Sequence, residues 1–381
     1  MKGLQHIQKS LGSTGGYFLD QAMVSGGNLM LALLLARKLG PEGFGVFSLG
    51  WMVILFVNSL QQAFILTPMF SLAAERSERY PTLLAKMQLG MISLLALAVF
   101  LLYPLTHFEG MPALLQEMWI PVALLSLAHQ VYDFSRKTLL LQKNIRKVQF
   151  LDGAVLLLQG ILVAGLLFSG KLSYLNAWYV LALAYALPAL FPFVVALRKG
   201  HSENMREVAR EHWSYGKWLG ATALMQWFSG NYFLLAGAAL LGTAALGAVR
   251  MAQTFMGLLN VLLLALENFI PPRAADVYLK GGEASLRHYL RTAGLRFALV
   301  FFPMLAVIAF GAENLISWVF GAEYLPYASV VQGFALLYCL VFPGTLLRFY
   351  HRTKGSTREI FLAYVLSTVA AFFLAQVFVS A

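Results

Sequence analysis

Arg250, Gln253, Gly257, Asn260 and Glu267 punctuate an otherwise apolar run at spacings that place them within an arc of about 100° on a single helix. A guanidinium in such a stripe suits a phosphate or diphosphate, because its planar fork of N–H donors meets two oxygens at once. Asn58, Gln61 and Gln62 form a second polar stripe, Tyr17, Asp20, Gln21, Val24 and Asn28 line a third face, and Tyr215, Trp218, Thr222, Gln226 and Ser229 a fourth. Side-chain amides bond to hydroxyls, and indole or phenol faces pack on the apolar side of a sugar ring. This is chemistry for holding an anionic head and the sugars beyond it. Two structural readings stand beside it: Arg250 paired with Glu267 or another acid, and the Asn and Gln residues as hydrogen-bonding glue between helices. Asp133 with Arg136, and Asp152, read as interfacial or loop-pairing charges. Nothing in the sequence points to bond-breaking chemistry. The chain has no HExxH, no GxSxG and no glycine-rich phosphate loop, and the outward connections are short.

The elements that must carry these stripes are runs of about 20 apolar residues, each long enough to cross a bilayer as a helix. Eleven spans are expected: Phe18–Ala36, Phe44–Phe70, Leu89–Tyr103, Pro121–Leu141, Val148–Phe168, Tyr174–Leu197, Trp218–Leu241, Ala244–Ile270, Phe297–Phe310, Tyr327–Leu347 and Ile360–Ser380. With 59% hydrophobic and 12% charged residues and a mean hydropathy of +0.70, lipid must cover much of the surface. The fold class is therefore all-α and polytopic. Asp20, Gln21 and Asn28 in the first span argue for a retained helix rather than a cleaved signal. The net charge of +11 comes from basic residues concentrated at the N-terminus and the even-numbered connections. By the positive-inside rule these face the cytoplasm, with the N-terminus, and the charge meets anionic lipid rather than nucleic acid. The single cysteine, Cys339, excludes an internal disulfide and a cysteine metal site, and no cofactor is implied.

The chain is written twice. Gly16-Tyr-Phe-Leu19 matches Gly216-Lys-Trp-Leu219, the turn from Leu39-Gly40 to Gly45 matches that from Leu241-Gly242 to Gly247, and Pro68 matches Pro271. The offset stays at roughly 200 residues, the mark of an internal repeat. A repeat over an even number of helices gives parallel halves related by an axis along the membrane normal, with a hydrated cavity expected between them. The expected organisation is an N-lobe over 1–197 with helices one to six, a cytoplasmic linker or interfacial helix over 198–212, and a C-lobe over 213–381 with helices seven to eleven.

Ala36-Arg-Lys-Leu-Gly-Pro-Glu-Gly-Phe-Gly45 resembles the ARxLGPxxFG signature after the first helix of polysaccharide and oligosaccharide flippases. Leu266–Ala275 is similar to the end of their eighth helix, and Phe320-Gly-Ala-Glu-Tyr324 to the segment before their tenth. The resemblance implies the superfamily that also holds multidrug and toxin-extrusion exporters, and an inner-membrane protein that flips a lipid-linked oligosaccharide by alternating access. Membrane lipids and other polysaccharide-assembly membrane proteins are the implied partners. On this reading Arg250, Gln253, Asn260, Asn58, Gln61, Gln62, Asn28, Trp218 and Gln226 bind substrate. Asp20 sits where the exporter branch carries an acid that takes part in cation coupling. The family usually has six helices in each lobe, so a twelfth helix is expected but not found, which suggests truncation. The alternatives are a cation-coupled multidrug or metabolite antiporter and a truncated scaffold that does not transport.

Overall fold

The computed structural model describes residues 2–72, 80–108, 112–198 and 204–356, with scattered positions between 359 and 373. Every regular element among the described residues is helical. Hydrocarbon offers no hydrogen-bond partners, so an apolar chain inside it closes its own backbone bonds as helix. The order is α1 (Lys2–Gln61), a π-helical turn (Gln62–Leu66), α2 (Thr67–Leu72), α3 (Tyr80–Leu102), a 3-10 turn (Tyr103–His107), α4 (Ala113–Leu141), α5 (Ile145–Phe168), α6 (Tyr174–Arg198), α7 (Met205–Leu241), α8 (Thr243–Phe310), α9 (Ala312–Val319), a second 3-10 turn (Ala322–Tyr327) and α10 (Ala328–Thr353).

Among the described residues six helical stretches are long and apolar enough to cross a membrane, and two of them, Leu19–Leu72 and Thr243–Phe310, run for 54 and 68 residues. Each is long enough for two crossings of about 20 residues. Each is also broken at a glycine: Gly40 has φ 68° and ψ 178° in α1, and Gly282 has φ 66° and ψ −163° in α8. Gly40 must leave the α region because Pro41 follows it, and a positive φ is cheap only for glycine. The first and second expected spans therefore share α1, and the eighth and ninth share α8. The eleventh, Ile360–Ser380, falls mostly outside the described residues. Of the expected linker, 199–203 also lies outside them, and Met205–Glu211 forms the first two turns of α7.

Grouped by contact, the chain forms two units, one of Met1–Ala32 with Val46–Gly230 and one of Leu33–Gly45 with Asn231–Ala381. This partition differs from the lobes expected at 1–197 and 213–381, since α7 up to Gly230 joins the first unit and the turn around Gly40 joins the second. The core of the first unit packs Ile65, Leu66, Met69, Tyr80, Leu84, Phe134, Phe193 and Val208. Pro68 has no N–H to give the carbonyl of Phe64, and the π-helical turn precedes it. His212 at the start of α7 satisfies that carbonyl through Nδ1 at 3.0 Å, while its Nε2 lies 2.6 Å from the Tyr80 hydroxyl. A carbonyl can only accept, so Nδ1 carries the proton, and in the neutral ring Nε2 accepts from Tyr80.

In the second unit the repeat is visible in the backbone. Gly242, at φ 88° and ψ 169°, takes nearly the conformation of Gly40. Five residues on from each, Gly45 and Gly247 cross at backbone contact: a Cβ on Gly45 would stand 1.8 Å from the Thr243 carbonyl oxygen, and one on Gly247 would stand 2.0 Å from that of Pro41. The motif turn also docks on the segment after α9. Arg37 donates to the Trp318 carbonyl at 3.0 Å, the buried Tyr324 hydroxyl donates to the Ala36 carbonyl at 3.0 Å, and Glu323 fills the space beside Gly40. Farther along, Glu283 just past the Gly282 break accepts from Tyr350, Arg287 and Lys354. The Glu283 carboxylate, and after it Tyr350, hold the Lys354 ammonium above the usual lysine range.

The crossing predicts that Gly45→Ala and Gly247→Ala each force two backbones apart and cost about 1–3 kcal/mol, the usual penalty for overpacking. Melting of the purified protein in detergent should fall for both. Gly26→Ala, whose Cβ would meet nothing within 4 Å, is the control and should melt like the parent.

Candidate functional site

The polar residues of the spans separate into tightly paired groups in the first unit and sparsely paired ones in the second. In the first unit Arg136 of α4 is gripped by two carboxylates. Its Nη2 lies 2.6 Å from Asp20 Oδ2 and its Nε 2.6 Å from Asp152 Oδ2, with both acids buried. Asp152 also accepts from the Tyr132 hydroxyl at 2.7 Å. These charges are buried and paired with one another, because a carboxylate held among apolar helices needs a cation and donors close by. Beside them lies a cavity of about 180 Å³, whose lining includes Asn28, His129, Asp133, Arg136, Asp152 and Tyr185. The second oxygen of Asp20 is buried without a hydrogen bond among the described residues.

The amide stripe of the second span bonds to neighbouring helices. Gln61 is fully buried and donates to Gln88 Oε1 at 2.9 Å and to the Gln130 carbonyl at 2.8 Å, and Gln88 donates to Gln130 Oε1 at 2.8 Å. This chain of amides knits α1, α3 and α4 together. Gln62 donates to Asp133 at 2.9 Å, and Asn58 lies 2.8 Å from His129 Nδ1. Asn28 is exposed along the rim of the small cavity, and Trp218 is exposed on α7. The side chain of Gln226 lies outside the described residues.

The second unit holds Arg250, Gln253 and Asn260 on α8. Gln253 Oε1 accepts from Arg250 Nη1 at 3.0 Å, one turn along the helix, and Asn260 accepts from the Tyr338 hydroxyl at 2.9 Å. Glu267, one of the partners open to Arg250 from the sequence, points elsewhere: it sits 3.4 Å from Arg352 and 3.7 Å from Arg348 of α10. Among the described residues Arg250 makes no ion pair. It is a partly buried guanidinium bonded to a neutral amide. Its remaining donors suit an anion, and leaving such a cation without one in an apolar span is costly.

Reasoning from sequence passed over His129, Tyr132, Tyr185 and Asp152 as members of one cluster. The available signal was the presence of Asp20, Arg136 and Asp152 in or beside apolar runs, since such charges in a bilayer seek each other. Their separation along the chain, and the placement of Arg136 at a span end, hid it.

Comparison with known proteins follows the same lines. A family model described as polysaccharide biosynthesis protein matches residues 34–329. Among curated proteins none matches the sequence at a significant level. Among solved structures the fold is similar to a multidrug resistance MATE family transporter of the MOP superfamily in an inward-facing conformation, with a TM-score of 0.65, 13% identity, and coverage of 91% of this chain and 83% of that one. A MATE transporter of Vibrio cholerae gives 0.57 at 16% identity, covering 94% and 87%. A MOP superfamily transporter of Pyrococcus furiosus, described by a reversed polarity of its binding pocket, gives 0.53 at 13% identity, covering 97% and 96%. At such identities the likeness is one of fold, and function must be argued from the residues.

The charge cluster of the first unit yields a prediction. Arg136→Ala strands two buried carboxylates and should cost about 3–5 kcal/mol, as breaking a buried pair does. Combining it with Asp20→Asn and Asp152→Asn removes the stranded charges and should recover most of the loss. Melting temperature and membrane abundance check this, and an Arg136→Ala protein as stable as the parent would show that the cluster does not hold the helices.

Proposed function

Because this chain belongs to the polysaccharide biosynthesis protein family, we propose that it flips a lipid-linked oligosaccharide, carried on a diphosphate, across the cytoplasmic membrane by alternating access for surface polysaccharide assembly. The single observation that carries this reading is Arg250: a cation in a long apolar helix, bonded to Gln253 and without an ion pair among the described residues. A diphosphate supplies the missing charge in a shape the guanidinium fork matches. Gln253 fixes one edge of the guanidinium and leaves other N–H groups to point at the ligand. Asn260, Asn28, Trp218 and Gln226 are proposed to meet the sugars, the amides through hydroxyls and the indole through a ring face. Asn58, Gln61 and Gln62 support the site by fixing the helices of the first unit.

The basic residues of the even connections support a cytoplasmic N-terminus, and partners in polysaccharide assembly follow from the family. Energy is proposed to come from a gradient or from consumption of the delivered substrate. Asp20 is the residue proposed for ion coupling. It is held by Arg136 at 2.6 Å, so a proton or sodium ion that neutralised it would loosen that grip. The rival reading, an antiporter of organic cations, would put a carboxylate at the centre of recognition. Asp20 and Asp152 both bond to Arg136, whereas among the described residues Arg250 has no acidic partner.

Surface glycan display in a flippase-deficient cell, measured beside protein level, tests this. Arg250→Ala should abolish display at normal abundance, and Arg250→Lys, which keeps the charge and loses the fork, should retain part of it. Full display from Arg250→Ala at normal abundance would remove the residue from the mechanism.

A further inference from the structure

The first unit contains a second, larger cavity that the flipping reaction leaves unused. It measures about 650 Å³, within the range of roughly 300–1,000 Å³ usual for ligand pockets. Three helix faces build it: Ser135, Thr138 and Gln142 lie along α4, Lys147, Phe150, Leu151, Ala154 and Leu158 along α5, and Leu187, Pro188, Phe191, Pro192 and Val195 along α6.

The polar groups gather at one end. Gln142 caps α4 and Lys147 lies in the first turn of α5, both exposed, with Thr138 one turn inside. Thr138 lines the groove as well and is only 5% exposed, its hydroxyl oxygen lying beneath the surface. Among the described residues no acidic side chain lines the groove to balance the Lys147 ammonium. From there inward the walls are apolar, and Phe150 and Phe191 stand about four-fifths exposed.

The length identifies the occupant. From Lys147 to Leu158 the groove follows eleven residues of α5, about 16 Å at 1.5 Å per residue. Half of a hydrocarbon core of about 30 Å is nearly the same. A ligand with its head at Lys147 and its tail at Leu158 therefore spans one leaflet and no more. We infer that this groove binds an anionic glycerophospholipid of the leaflet facing the 141–147 connection, its phosphate on Lys147 and Gln142 and an acyl chain against α5 and α6. The site is separate from Arg250, and it does not depend on which substrate the protein moves.

Native mass spectrometry of the full-length protein, purified in mild detergent and stripped of lipid, tests the assignment with phosphatidylglycerol and phosphatidylethanolamine of matched chains. Phosphatidylglycerol should bind more tightly, and Lys147→Gln should remove that preference, a change of about fivefold for one basic group at an anionic surface. Ala154→Phe, which fills the shaft, should abolish binding of both lipids. Elution and melting like the parent's confirm that the filled variant is folded. If it is not, Lys147→Gln at its exposed position decides alone. Equal binding of the two lipids by the parent, no effect of Lys147→Gln, or displacement of phosphatidylglycerol by a lipid-linked diphosphate sugar would overturn the proposal, the last by giving the groove to the substrate.

Discussion

A charge inside hydrocarbon costs several kcal/mol unless a counter-charge, a dipole or water reaches it, and that constraint sorts the ionised side chains of this protein. Arg136 meets it by proximity, with carboxylates at 2.6 Å on either side. Asp152 draws a further donor from Tyr132, and the nearby Asp133 takes the amide of Gln62. The result is a first unit whose helices are fixed to one another through polar contacts that no solvent can replace. Arg250 does not meet the constraint in the same way. Its hydrogen-bond partner is a neutral amide one turn away, and it has no counter-charge among the described residues. The two arginines thus differ in their surroundings, Arg136 lying between two carboxylates and Arg250 beside a neutral amide.

Backbone proximity plays the complementary part in the second unit. Gly45 and Gly247 bring two helices to a distance at which no side chain fits, and the turns at Gly40 and Gly242 that precede them share a conformation. Tyr324, Arg37 and Glu323 then lock the first turn against the segment after α9. Small residues permit such close packing in membranes, where association relies on van der Waals contact and hydrogen bonds rather than on expulsion of water. The sequence signature over Ala36–Gly45 is accordingly a packing motif.

The helical fold and its breaks were legible because apolar length and the Gly40-Pro41 pair are local signals. The match of Gly40 with Gly242, read from an offset of roughly 200 residues, reappears as matched dihedral angles. The pairings were not legible. Asp20 and Arg136 are 116 residues apart, and Gln61 and Gln130 are 69 apart. A polar stripe on one helix does not reveal whether it faces a cavity or another amide, so Gln61 and Arg250 looked alike as candidates. The grouping of Leu33–Gly45 with the second unit also depends on long-range contacts, Tyr324 to Ala36 above all, that a repeat boundary does not encode.

The most direct test of the central claim is transport by the purified full-length protein in proteoliposomes, comparing a lipid-linked diphosphate oligosaccharide with a fluorescent organic cation. The account predicts that the glycolipid crosses the bilayer, that Arg250→Ala stops it, and that the cation is not moved. Efflux of the organic cation without movement of the glycolipid would contradict it and assign the protein to the export of cations instead.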